Sequence, residues 1–144
     1  DLRRSRGLGD VYKRQTLGYE RNLITSSDWE YIAVAAKNLA ESINADGIIA
    51  VTRTGATANF ISNAKPNGIP IFTFTNNKNT LKQLSLVGSS LAFYIPRLNN
   101  HEKTLKKAES VLKTYYKKKQ NLKFIMVSGI FSEDHSEAIQ IINF

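Results

Sequence analysis

Two short segments hold residues whose types and spacing suit chemistry. The first is Thr52-Arg53-Thr54-Gly55-Ala56-Thr57. It brings three hydroxyls, a guanidinium and a flexible glycine into six residues, after an apolar run and before an amphipathic one. Hydroxyls, a cation and the free N–H groups of a helix start are what a phosphate group needs. The segment is neither the P-loop nor the dinucleotide fingerprint. The alternative is a tight turn into a capped helix. The second segment is Ser132-Glu133-Asp134-His135-Ser136-Glu137. Adjacent carboxylates beside an imidazole, Glu133, Asp134 and His135, suit acid/base work or a metal. A solvated hairpin is the favoured reading, because no second carboxylate pair or histidine stands where it would complete a site. His101 opens a helix and reads as a capping or surface residue. No catalytic set and no metal site is expected in the chain.

The elements that must hold these segments alternate in kind. Ser27-Asp28-Trp29-Glu30 has the form of a capping box. Behind it Trp29, Ile32, Ala33, Ala36, Leu39, Ala40 and Ile43 recur at spacings of three and four, one apolar helix face. Asn44-Ala45-Asp46-Gly47 ends that helix. Ile48 to Val51 is a continuous apolar run, the pattern of a buried parallel strand. Ala58 to Ala64 predicts a second helix, stopped by Lys65-Pro66-Asn67-Gly68. Ile69 to Thr75 is rich in β-branched and aromatic residues and predicts a second strand. A short helix over Asn77–Leu84 and a strand over Leu91–Ile95 follow, the strand ended by Pro96. Asn99 or Asn100 caps a long helix with Glu102 in its first turn and lysines in its last, the order the macrodipole favours. Leu105, Ala108, Leu112 and Tyr115 mark its buried stripe. Strands over Phe124–Ile130 and Ala138–Phe144 complete the chain.

Helices alternating with strands imply an α/β domain with parallel strands and right-handed crossovers. The last two strands are joined by only seven residues, 131–137, too few for a parallel crossover. The expected architecture is three-layered: a five-stranded mixed sheet, four strands parallel and the last antiparallel, flanked by helices. Ligands of such open sheets bind beyond the carboxyl ends of the strands, which is where both candidate loops fall.

Composition bounds the remaining possibilities. The chain has 144 residues, one ordinary domain by length, with 42% hydrophobic residues and no cysteine. No disulfide framework or thiolate zinc site is available. No run of 18 apolar residues exists to span a membrane. The formal charge of +8 invites a nucleic-acid reading. Much of it comes from Lys103, Lys106, Lys107, Lys113, Lys117, Lys118, Lys119 and Lys123, on or just after one helix, which reads as a solvated face. Base-stacking aromatics are not interleaved with these lysines. The expectation is therefore no nucleic acid and no membrane. Nucleic-acid binding through this helix is kept as a minor alternative.

Residues 1–15 stand apart. Asp10-Val11-Tyr12-Lys13-Arg14-Gln15 is the translation of GAT GTG TAT AAG AGA CAG, which resembles the end of a transposon adapter used in making sequencing libraries. The expectation is that 1–15 is an unstructured artefact, to be set aside like an expression scar, and that the domain proper is 16–144. The alternative is a basic targeting arm.

The succession AVAAKNLAESINADGIIAVTRTGATANFISNAKPNGIPIFTFTNN, residues 33–77, resembles the C-terminal domain of pyruvate kinases. There an alanine-rich helix leads into a strand, then Thr-x-Ser/Thr-Gly-x-Ser/Thr-Ala, a Lys/Arg-Pro turn, a Pro-Ile strand and a Thr-x-Asn helix start. The later FIMVSGIF is similar to that family's fourth strand and its turn. The resemblance spans about residues 20–144. It implies a regulatory domain that binds phosphorylated small-molecule effectors and helps to form a homotetramer. It also implies a cytoplasmic, glycolytic parent enzyme that transfers phosphoryl from phosphoenolpyruvate to ADP. That enzyme binds ATP and uses magnesium and potassium. The catalytic groups and metal ligands would lie in a barrel domain, the missing partner, so this chain alone would be inactive and hold no cofactor. The family's phosphate loop maps onto Thr52, Thr54, Gly55 and Thr57, with Arg53 and Ala56 at variable positions. Two departures matter. Leu86-Val87-Gly88 lacks the tryptophan or arginine that often serves a second effector phosphate. The last loop is acidic, with Glu133, Asp134 and His135, where the family commonly has Gly-x-Thr-Asn. Carboxylates there would repel a phosphate, so no response to fructose 1,6-bisphosphate is expected. A free-standing phosphate-binding module descended from this domain is the alternative function.

Overall fold

The structure, a computed structural model, describes residues 28–87, 90–96, 100–128 and 138–144. The chain runs α1 (Asp28–Ser42), β1 (Gly47–Val51), α2 (Ala56–Asn63), β2 (Ile71–Thr75), α3 (Lys78–Val87), β3 (Leu91–Tyr94), α4 (His101–Tyr115), β4 (Lys123–Ser128) and β5 (Ala138–Asn143). The strands form one sheet in the order β3-β2-β1-β4-β5. β1 to β4 are parallel; β5 runs antiparallel to β4, with Phe124 opposite Ile142 and Val127 opposite Ile139. This is the five-stranded mixed sheet that the alternation and the short last connection imply.

Side chains alternate across the sheet and build two unlike cores. On one face Ile48, Ala50, Ile71, Ile125 and Val127 meet α1, α2 and Leu84 of α3. Three helices share this face, and small side chains at Ala33, Ala36, Ala40, Ala58 and Ala64 let their backbones come close. On the other face, among the described residues, only α4 covers the strands. Large side chains fill the space there. Phe72 is fully buried among Phe93, Tyr115, Tyr116 and Phe124, with ring centroids 5.2–6.5 Å apart. Gly47 is required beneath this cluster: a Cβ would sit 2.5 Å from Phe72 Cε2.

The buried stripe of α4 differs from its expected form. Thr104, Ala108 and Leu112 are buried, but Tyr115 is half exposed. The helix ends at Tyr115, and at Tyr116 the backbone leaves helical geometry (φ −96°, ψ 44°). That turn swings Tyr116 inward, and its hydroxyl donates to the Asp46 carbonyl at 2.7 Å. Burial, then the Asp46 charge, push the Tyr116 hydroxyl up to about 12. The Asp46 carboxylate accepts from Lys119 and from the Lys123 N–H, tying the end of α4 to the start of β1. Burial alone would raise the Asp46 carboxyl. The hydrogen bonds from Lys119 and Lys123, with their charges, outweigh it and hold the carboxyl below its ordinary value.

Candidate functional site

β1 and β4 lie side by side, and their connections lead to opposite ends of the sheet, since β1 continues outward to β2 while β4 turns back into β5. The strand order thus reverses between them, and the crevice beyond their carboxyl ends is where open α/β sheets take ligands. The loop after β1 is the Thr52–Thr57 segment. The loop after β4 carries Glu133, Asp134 and His135, which lie outside the described residues, as do Ser27 of the capping box and residues 1–15.

The first loop is built from the inside. Thr52 continues the ladder, its N–H donating to the Phe74 carbonyl at 3.0 Å. Its hydroxyl turns back and accepts from the Gly55 N–H at 2.9 Å. That bond closes the turn, and the turn needs Gly55 at φ 88°, in the left-handed region that L side chains rarely adopt. Gly55 is the N-cap of α2, and its carbonyl accepts the first helical bond, from the Asn59 N–H at 3.0 Å. Glycine has no side chain with which to cap the helix, so the N-cap position of α2 makes no side-chain bond. Thr54 accepts from the Ala56 N–H at a long 3.3 Å.

Exposure sorts the six residues. Arg53, Thr54 and Ala56 face solvent, whereas Thr52 and Thr57 are buried, at 3% and 4% exposure. The sequence treats the threonines as equivalent ligand groups; the structure gives the Thr52 hydroxyl an internal partner. What the loop presents outward is the Arg53 guanidinium, the Thr54 hydroxyl and the positive end of α2. Lys78, the first residue of α3, lies along the same edge of the sheet, its ammonium 5.7 Å from the centre of the Tyr94 ring.

One residue of this site was missed by the sequence reasoning. Thr80, in α3, is 5% exposed, and its hydroxyl donates to the Arg53 carbonyl at 2.8 Å. A threonine in the first turn of a helix is ordinary, and nothing local connects it with a residue 27 positions earlier. Its neighbour Asn77 caps α3, accepting from the N–H groups of Asn79 and Thr80 at 2.9 and 3.2 Å.

The other candidates have structural roles or stand aside. Asn100, not His101, caps α4, accepting from the Lys103 N–H at 3.0 Å. On the lysine-rich helix and beyond it, Lys106 pairs with Glu102, Lys113 with Glu109 and Lys119 with Asp46. Leu86 is 87% exposed. Among the aromatics, Tyr94 is 39% exposed, while Trp29 stacks on Phe60 and Phe93 and Phe144 pack against the core. Among the described residues no three His, Asp or Glu side chains gather as a metal site, and no helix is long and apolar enough to cross a membrane.

Among the described residues, a parallel sheet with one antiparallel edge, three helices on one face and one on the other, and a hydroxyl-rich loop at the point of strand reversal define an open-sheet α/β domain. Residues 30–142 match the family model "Pyruvate kinase, alpha/beta domain", and the chain belongs to that family. It is 32% identical over 104 residues to a pyruvate kinase of Eimeria tenella, which covers 72% of this chain and 19% of that protein. It is 32% identical over 77 residues to a pyruvate kinase of Agrobacterium vitis, covering 54% of this chain and 16% of that one. The chain therefore spans under a fifth of the length of these curated relatives. Crystal structures of Cryptosporidium parvum pyruvate kinase share its fold. One has a TM-score of 0.72 at 23% identity, covering 81% of this chain and 23% of that chain. Another, a complex with ADP, has a TM-score of 0.70 at 22% identity, covering 82% and 23%.

Proposed function

We propose that this domain regulates a glycolytic pyruvate kinase by binding a small phosphorylated effector at Thr52–Thr57, and that it contributes to the enzyme's homo-oligomer. The observation that carries the reading is the loop itself. A left-handed glycine closes it and stands at the N-cap of the helix behind it without a capping side chain of its own, and the loop lies at the strand reversal of the sheet. Arg53 and Thr54 would meet the phosphate oxygens. The first-turn N–H groups of α2 would complete the cradle.

Phosphoryl transfer itself would be carried by a barrel domain outside this chain. Any magnesium and potassium would be held there, and no step is derived for them from these residues. Oligomerisation has its own support. β5 is the outer strand of the sheet, and Ile141 on it is 51% exposed, an apolar edge of the kind that proteins usually cover. The working compartment consistent with glycolysis is the cytoplasm.

Titration of the full-length enzyme tests the effector reading. A phosphomonoester is expected to lower the apparent substrate constant, and Arg53→Ala to weaken that response. Fructose 1,6-bisphosphate is expected to have little effect, since Glu133 and Asp134 follow β4, the neighbour of the strand that leads into the loop. A large activation by the bisphosphate would overturn the single-phosphate form of the proposal. Activation by neither class, with Arg53→Ala silent, would remove the site.

A further inference from the structure

Thr80 is buried, belongs to a different helix from the loop it touches, and is not among the groups that would meet a ligand. Its hydroxyl donates to the Arg53 carbonyl at 2.8 Å. Its methyl lies against Gly55, where a Cβ would stand 3.4 Å from Thr80 Cγ2. Its own N–H is held by Asn77 Oδ1 at 3.2 Å. The side chain thus grips the loop at two points while α3 anchors it from behind.

We infer that Thr80 is the positioning residue of the anion loop, holding the 53–54 peptide in the one orientation that can receive a phosphate; this rests on the reading of Thr52–Thr57 as a phosphate loop. Carbonyl oxygens carry partial negative charge, so a loop that receives an anion must turn them away and present its N–H groups. The Gly55 carbonyl is turned away by its bond from Asn59, and the Arg53 carbonyl by Thr80. Without the hydroxyl, the Arg53 carbonyl loses its buried donor. The 53–54 peptide can then rotate and bring that oxygen toward the ligand. Thr80 does not touch the anion; it acts through Arg53 and Gly55.

The test uses the full chain, with inorganic phosphate as probe. Thr80→Val keeps the shape and removes the hydroxyl; Thr80→Ser keeps the hydroxyl and removes the methyl. Two readouts are followed by NMR: ligand-free hydrogen exchange at the Gly55 amide, and the shifts of the Thr57 and Ala58 amides as phosphate is added. In Thr80→Val, Gly55 exchange should rise and phosphate affinity should fall, each about fivefold, the scale of one net hydrogen bond. The Ile49 and Phe124 amides should stay protected. Thr80→Ser should remain within about twofold of the parent on both readouts, because it keeps that bond. Unchanged Gly55 exchange in Thr80→Val overturns the inference. So does a Thr80→Ser response as large as that of Thr80→Val, which would make the role mere packing. If Thr80→Val does not fold, Thr80→Ala against Thr80→Ser poses the same question, since both lack the methyl and only serine has the hydroxyl. If phosphate moves no amide in the parent while the exchange contrast holds, the phosphate reading fails and the grip of Thr80 on the loop stands.

Discussion

Replacing Gly55 with alanine tests the loop on which the functional reading depends. Gly55 sits at φ 88°, and the space around it is adequate. An added Cβ would lie 3.4 Å from Thr80 Cγ2 and 3.6 Å from Leu84 Cδ2, ordinary contact distances. The cost is therefore one of backbone and not of crowding. An L-residue with a Cβ in the left-handed region is less stable by about 1–2 kcal/mol. Alanine also restricts the unfolded chain, which offsets about 0.4–1 kcal/mol of that strain. If the loop yields instead, it must release the bond from the Gly55 N–H to Thr52 and disturb the start of α2. Either route leaves a net loss of about 1 kcal/mol. With a urea slope of about 2 kcal/mol per molar, the unfolding midpoint should fall by about 0.5 M. The single tryptophan, Trp29, stacks on Phe60 of α2 at 6.5 Å and reports the transition. Gly68→Ala is a useful comparison. It has φ 68° and nothing within 4 Å of the new Cβ, so it isolates the backbone cost in a turn away from the site. The two variants should lose similar stability, and only Gly55→Ala should lose phosphate binding. A Gly55→Ala midpoint equal to that of the parent would show that the loop does not hold the left-handed turn, and the proposed cradle would go with it.

Two further outcomes follow from the packing. At Gly47 the limitation is reversed: the backbone accepts alanine, but the Cβ meets the ring of Phe72, which four aromatic neighbours hold in place. Gly47→Ala should cost about 1–3 kcal/mol by overpacking. Combining it with Phe72→Leu should cost less than the sum of the single changes, measured as a double-mutant cycle of urea unfolding; strict additivity would contradict the collision. Asp46→Asn should destabilise the chain by about 1–2 kcal/mol at pH 7, since the carboxylate accepts from Lys119 and Lys123 but Lys119 is largely in solvent. The folded carboxyl titrates below its ordinary 3.8, so its contribution is present above that value and is lost as the pH falls through the lower, folded one. The difference between parent and Asp46→Asn should narrow as the pH falls from 7 to below 3.8. A difference that does not change at all between pH 7 and the acid side of 3.8 would assign the effect to shape and not to charge.

The architecture was legible in the chain because its signals are local. Apolar runs at 48–51 and 124–127, helical spacing in α1 and the charge order of α4 are properties of neighbouring residues. The short connection expected before the last strand was enough to require that strand to be antiparallel. The glycine-centred hydroxyl loop could be picked out for the same reason, since its six residues are contiguous. What the tertiary structure alone decided depends on residues far apart. Strand order put that loop at the reversal between β1 and β4. Burial withdrew Thr52 and Thr57 from the solvent side of the loop and left Arg53 and Thr54 there. Helix α4 ended one residue before the aromatic that packs inward, so Tyr116 took the place that spacing assigned to Tyr115, and it found its partner 70 positions away at Asp46. Thr80 became part of the site only because α3 packs its first turn against the loop after β1. A chain's pattern records which face each residue prefers; which distant group it then meets is settled by how the layers close, and hydrogen bonds such as that of Thr80 to Arg53 exist only once they have.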